Sequence, residues 1–269
     1  MTGEAGDLRR RRRVFRRRRK SRAAEASMTV VEHLGELRSR LVWSGLAFLI
    51  ISVVAFSLYD PILEIFRRPL CSVPRRLLEP NGCDLVYNRL IGAFQFRLKL
   101  TALVGIAASS PIWLYHLWAF IVPALTAKEK RYAWPFMATS VLLFLVGAAT
   151  AYFALPTGVR FLVAVGGENL IPLLGAEEYL NFVGLMLLGF GLMFELPLVL
   201  FFLGLAEAVS VEQLRRGRRI AIVVIVALAA VVTPSGDPYT MLLLAVPLYL
   251  LYELTIVVLK VVLRRRAAR

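Results

Sequence analysis

Apolar residues dominate six stretches of the chain, at 41–59, 100–122, 133–157, 179–206, 220–232 and 239–259, and charged segments separate most of them. A helix of about 20 apolar residues crosses a hydrocarbon core ~30 Å thick, so most of these stretches are long enough to span a bilayer. The fifth holds only about 13 apolar residues and would cross only where the bilayer thins around it. Between the fifth and sixth lies TPSGDP at 233–238, whose Pro, Ser, Gly and Asp predict a tight turn joining an antiparallel helix pair. Ahead of the first stretch, Leu34, Leu37 and Leu41 recur at helical spacing, with Glu32 and Glu36 one turn apart on another face. In the loop after it, Asp60-Pro61 predicts a short helix with Asp60 as its cap, ending near Pro69. The pattern predicts an all-α integral membrane protein with six transmembrane helices over 28–260. A basic, disordered tail precedes it at 1–27, and a basic segment follows at 261–269.

Composition narrows the class. The chain is 58% hydrophobic, a content that excludes a soluble globular protein. Its net charge of +15 looks like a nucleic-acid signal until the charges are located. Most of the excess lies in the tail at 9–22. The rest flanks the apolar stretches, at Lys128, Lys130 and Arg131, at Arg215, Arg216, Arg218 and Arg219, and at 264–266. Positive-inside bias accounts for that distribution, placing both termini in the cytoplasm. The loop at 60–99 departs from the rule, because it falls outside yet carries Arg67, Arg68, Arg75, Arg76, Arg89, Arg97 and Lys99. The tail itself suits anionic lipid. Cys71 and Cys83 both fall in the 60–99 loop, where they either pair in an oxidising compartment or remain free thiols.

Catalytic signatures are missing. The chain has no phosphate-binding glycine loop, no His-Glu-x-x-His, and only His33 and His116 as histidines, so neither an enzyme nor a metal or other cofactor is expected. His116 lies within Trp113-Leu114-Tyr115-His116-Leu117-Trp118, which reads as an interfacial aromatic belt. The informative residues are acids. Glu195 is the one charge in FVGLMLLGFGLMFELPLVLFFLGLA at 182–206. An ionised carboxylate at mid-membrane costs a few kcal/mol, so this group is either bonded to a neighbouring helix or presented to something within the membrane. Glu36 and Glu129 both lie at the cytoplasmic face. They either make local contacts (Glu36 with Arg40, Glu129 closing a Thr-x-x-Glu helix start) or together receive a cationic ligand. Two adjacent arginines would suit them, since a guanidinium fork pairs bidentately with a carboxylate. A rival reading is a proton-coupled small-solute transporter with Glu195 and Glu253 as relay acids, against which stands the lack of internal repeats.

Four stretches resemble the TatC family, the multispanning receptor subunits of the twin-arginine protein translocase. They are EHLGELRSRL at 32–41, SPIWLYHLWAFIVPAL at 110–125, FELP at 194–197, and the pair TP at 233–234 with LAVP at 244–247. The resemblance covers essentially 28–260. It implies a glove-shaped arrangement of six helices with a short fifth and sixth, and a receptor that organises transport of folded proteins bearing twin-arginine signal peptides. It further implies single-span partners of TatA and TatB type, an oligomeric complex, and driving force from the proton gradient. On the same ground Glu36 and Glu129 would bind the signal's arginine pair, with Arg38 in the same patch, and Glu195 would serve polar contacts to partner subunits. Pro69 and Asp237 match external-loop positions of the family.

Overall fold

A computed structural model of the chain describes residues 30–74, 78, 82–87, 89–121, 133–166, 173–234 and 236–267. Among these residues it holds ten helices: α1 Val30–Ser57, α2 Tyr59–Cys71, α3 Gly92–Ala108, α4 Ser110–Ile121, α5 Ala133–Val165, α6 Ala176–Met193, α7 Leu196–Leu205, α8 Val211–Arg216, α9 Arg218–Val232 and α10 Pro238–Ala267. The chain falls into two compact units, 1–43 and 44–269. Of the first, the described part is the opening of α1.

Among the described residues, four helical stretches are long and apolar enough to cross a membrane: Gly35–Ser57, Trp134–Val165, Ala176–Leu205 and Pro238–Arg265. A fifth crossing is available if α3 and α4 act as one span bent by 52°. The remaining expected span, 220–232, is α9. Its 15 residues reach only about 22 Å, short of a full hydrocarbon core.

Two of the helix breaks stand next to prolines. Pro111 cannot donate a backbone hydrogen bond, and the chain bends at Ser109 between α3 and α4. The Ile106 carbonyl at this bend accepts from the Trp113 indole Nε1 at 3.0 Å and from Ser109 Oγ at 3.2 Å. Pro197 stands in the first turn of α7, just past the interruption at Phe194 and Glu195 that ends α6. Pro156 and Pro247, in contrast, sit inside the unbroken helices α5 and α10.

Within unit 44–269, glycines set how closely the helices pack. A Cβ on Gly147 of α5 would stand 2.6 Å from the Phe190 carbonyl oxygen of α6, and one on Gly204 of α7 would stand 2.2 Å from Leu259 of α10. Small residues of this kind bring membrane helices together where no hydrophobic driving force separates protein from lipid. Around these contacts Phe144, Leu155, Met186, Phe190 and Leu244 are fully buried.

The described residues between α1 and α3 are tied down at several points. Helix α2 buries Phe66 against Tyr179 and Phe96, with ring centroids 5.0 and 6.0 Å apart. The Tyr179 and Tyr152 hydroxyls donate to the carbonyls of Phe66 and Ile65, at 3.1 and 2.8 Å. The helix begins at Tyr59 rather than being capped by Asp60, which lies inside its first turn while Leu58 occupies the cap position. Pro69 is buried near the other end, and its carbonyl accepts from Ser72 Oγ at 2.7 Å. Cys71 and Cys83 are joined by a disulfide with a Cα–Cα distance of 5.0 Å. Beyond it, Arg67 pairs with Asp84 at 2.5 Å, and Val86 bridges to Gly175 just ahead of α6.

Helices α9 and α10 form the antiparallel pair expected from the 233–238 turn. Gly236 takes a left-handed φ of 60°, and Asp237 Oδ1 accepts from the Thr240 amide at 2.7 Å. Asp237 is thus the N-terminal cap of α10, buried to 1% exposure. At the opposite end, Arg218 holds Glu253 at 2.6 Å and the Tyr252 hydroxyl donates to the Leu214 carbonyl at 2.7 Å.

Two outcomes follow from this packing. Alkylation of the intact protein without reductant should label neither Cys71 nor Cys83, with both labelled after reduction; labelling of both thiols from the start would show that the bridge does not form. Gly147→Leu should lower stability by at least about 1–3 kcal/mol, because its neighbour is backbone and cannot move aside. Unfolding in detergent measures this, and wild-type stability would show that the helices can separate at no cost.

Candidate functional site

Three elements meet at Glu195. The interruption after α6 places it at the head of α7, where its amide donates to the Leu192 carbonyl at 3.1 Å and its own carbonyl accepts from Val199 at 3.0 Å. The Glu195 amide and carbonyl are thereby both satisfied, and the side chain is directed into the protein at 7% exposure. Helix α5 supplies Ser140, wholly buried, whose Oγ donates to Glu195 Oε2 at 2.8 Å. Helix α4 supplies Trp118, whose indole Nε1 donates to the Ser140 Oγ at 2.8 Å. The serine has one proton, so accepting from Trp118 orients it to give that proton to the carboxyl group. The result is a directional chain, Trp118 to Ser140 to Glu195, running across α4, α5 and the α6–α7 break.

The walls around the chain are aromatic. Phe136 meets the Trp118 ring edge-on at 4.5 Å, and Phe202 lies 5.9 Å from it. Such a setting strengthens each bond within it and makes an unsatisfied polar atom costly. One such atom is present: Glu195 Oε1 is buried and has no hydrogen-bond partner. The site can therefore accept one further hydrogen bond from a donor reaching it within the membrane.

The other acids stand differently. Glu36 Oε1, in the opening of α1, pairs with Arg40 one turn on, through Nη2 and through Nε at 3.2 Å. Its Oε2 has no hydrogen-bond partner, and Arg38 is exposed. Glu129 lies outside the described residues. Asp237 caps a helix, and Pro69 is buried near the end of α2. Glu253 accepts from Arg218 and from the Tyr249 hydroxyl, the latter at 3.1 Å. Among the described residues no His, Cys, Asp and Glu side chains gather into a metal-binding group.

The whole chain can be set beside known proteins. The family model for the Sec-independent protein translocase protein TatC matches residues 32–247. That is well over half of the sequence. The chain belongs to the TatC family. A Sec-independent protein translocase protein TatC from Frankia casuarinae is 42% identical over 89% of this chain and 68% of the relative. One from Corynebacterium kroppenstedtii is 36% identical over 96% of this chain and 66% of the relative. This chain thus spans about two thirds of the length of both. The TatC of Aquifex aeolicus is 37% identical over 89% of this chain and 98% of its own length. The crystal structure of a twin-arginine translocase receptor, TatC, in DDM superposes with a TM-score of 0.70 at 37% identity, covering 84% of this chain and 99% of that one.

Membership settles the class of this TatC-family chain as an all-helical, multi-pass membrane protein of a protein translocation system. The small-solute transporter reading finds no support, and Glu253, its second relay acid, is engaged by Arg218. One expectation needs correction. Trp118 is not part of an exposed aromatic belt, for it is 2% exposed and bonded to Ser140, whereas Tyr115 of the same segment is 49% exposed. Sequence reasoning also passed over Ser140. Its signal was present, a hydroxyl inside an apolar helix, but nothing along the chain linked it to an acid 55 positions away.

Ser140→Ala should cost about 1–3 kcal/mol, since it strips Glu195 Oε2 of its donor in a buried setting. Adding Glu195→Leu to that variant should recover part of the loss. Additive losses in unfolding measurements on the two single variants and the double would show that the residues are not coupled.

Proposed function

We propose that this chain is the receptor and core subunit of a twin-arginine translocation system, binding the signal peptides of folded precursor proteins and organising their passage across the membrane. The observation that carries the reading is the family match over 32–247, joined to a superposition covering nearly the whole of a twin-arginine translocase receptor. In this reading Glu36 and Glu129 receive the arginine pair, with Arg38 beside them. The local geometry of Glu36 supports a cationic ligand: it already holds one guanidinium, that of Arg40, and its second oxygen is unpartnered. A signal-peptide arginine would meet the same chemistry as Arg40 does.

Glu195 takes the second role. Its free Oε1, held in place through Ser140 and Trp118, would accept a hydrogen bond from a polar group on a single-span partner of TatA or TatB type. The chain would sit in the bacterial cytoplasmic membrane with both termini inside, its tail at 1–27 against anionic lipid, as part of an oligomeric complex driven by the proton gradient. The Cys71–Cys83 bridge supports an oxidising outer side for the loop between α1 and α3.

The test is binding of a labelled twin-arginine signal peptide to the protein in nanodiscs, beside the same peptide with both arginines changed to lysine. The arginine form should bind more tightly, and Glu36→Ala or Glu129→Ala should each weaken it by about 10-fold to 100-fold, the worth of a charge-assisted bond. Equal binding of both peptides, untouched by either substitution, would reduce the interaction to basic charge and sink the receptor reading.

A further inference from the structure

We infer that the groove between α5, α7 and α10 is a binding site for one acyl chain of an anionic phospholipid, whose headgroup phosphate is held by Arg265. The groove has a volume of about 310 Å³, at the lower end of the range for small-molecule pockets. Its walls run from Pro135 on α5 and to Leu205 on α7, and its floor is α10. A single extended hydrocarbon chain is narrow enough to lie within such a groove, whereas a helix, about 10–12 Å across with its side chains, would lie over its mouth.

The lining asks for nothing polar. Thr139 Oγ1 already donates to the Pro135 carbonyl at 2.7 Å, and Thr255 Oγ1 to the Leu251 carbonyl at 2.8 Å. A ligand carrying donors or acceptors would lose its water here without replacement, while a hydrocarbon chain loses nothing.

The charge lies at one end. On α10 the groove is lined by Leu251, Leu254, Val258 and Val262, a line at helical spacing whose next position is Arg265. Arg265 is exposed, and Arg264 stands beside it. Trp134, 76% exposed, immediately precedes Pro135 at the start of α5. Exposed tryptophan and arginine are the residue types that settle at headgroup level, the arginine by extending its stem out of the apolar layer. A phosphate at that level, with one chain running into the groove, satisfies both ends at once. A neutral headgroup would gain the groove but not the arginine.

Native mass spectrometry of the delipidated protein decides this. Phosphatidylglycerol and phosphatidylcholine of identical chains would be titrated against wild type, Arg265→Gln and Val258→Trp. Wild type should retain one phosphatidylglycerol at concentrations where phosphatidylcholine is lost. Arg265→Gln, a surface change that leaves folding intact, should weaken phosphatidylglycerol about fivefold and leave phosphatidylcholine unchanged. Val258→Trp, which fills the groove, should weaken both. Equal retention of the two lipids by wild type would overturn the proposal, as would indifference to Arg265→Gln. Tight phosphatidylglycerol binding by Val258→Trp would place the lipid elsewhere, at the basic tail, and a copurifying polypeptide that no lipid displaces would make the groove a protein interface.

Discussion

Inside a bilayer no water is available to backbone groups, so a helix that breaks within the membrane must satisfy its freed amides and carbonyls from the protein itself. At both interruptions of this chain, freed backbone groups find such partners. At the α3–α4 bend the Trp113 indole and the Ser109 hydroxyl reach the Ile106 carbonyl. At the α6–α7 break the Glu195 amide turns back to Leu192 in a tighter turn, and the Glu195 carbonyl starts the next helix. Proline makes both interruptions affordable, because its missing amide falls where a new helix begins and needs no partner.

The second break is also what creates the polar site. A carboxyl group on the lipid face of an unbroken helix would be expensive, but at the head of α7 it turns inward to Ser140 and through it to Trp118. The cluster depends on α5 lying close against α6, which in turn depends on Gly147, where any side chain would collide with the Phe190 backbone. Packing, break and polar site are therefore linked: the glycine contact sets the approach of α5, and that approach brings a serine hydroxyl to the acid. One carboxyl oxygen remains unbonded at the end of this arrangement. Under the function proposed above, an anchored acceptor of this kind would receive a polar group from a partner subunit in the membrane.

Much of the architecture was legible before any coordinates. Five of the six apolar stretches coincide with helices of spanning length or with the bent α3–α4 pair, and the remaining one, the fifth, is the helix α9 whose shortness the residue pattern indicates. The reason is that hydrophobic length is a local quantity, readable along one segment at a time. The Asp237 turn and the helix at Asp60-Pro61 were legible on the same footing, although α2 starts two residues earlier than proline placement implied. Family membership rested on contiguous motifs and was equally open to reading.

What a chain can state about itself is segmental: which stretches are apolar, where proline interrupts them, and which acid has no local partner. Tertiary structure alone decided how those segments answer one another. Trp118 reads as a belt residue until α5 and α7 cover it, Glu253 reads as a possible relay until Arg218 of the preceding helix reaches it, and Ser140 carries no meaning until Glu195 arrives beside it. Each of these depends on the relative rotation of two helices, which is set by the fit of side chains across their interface. Hydropathy along either helix alone does not contain that fit.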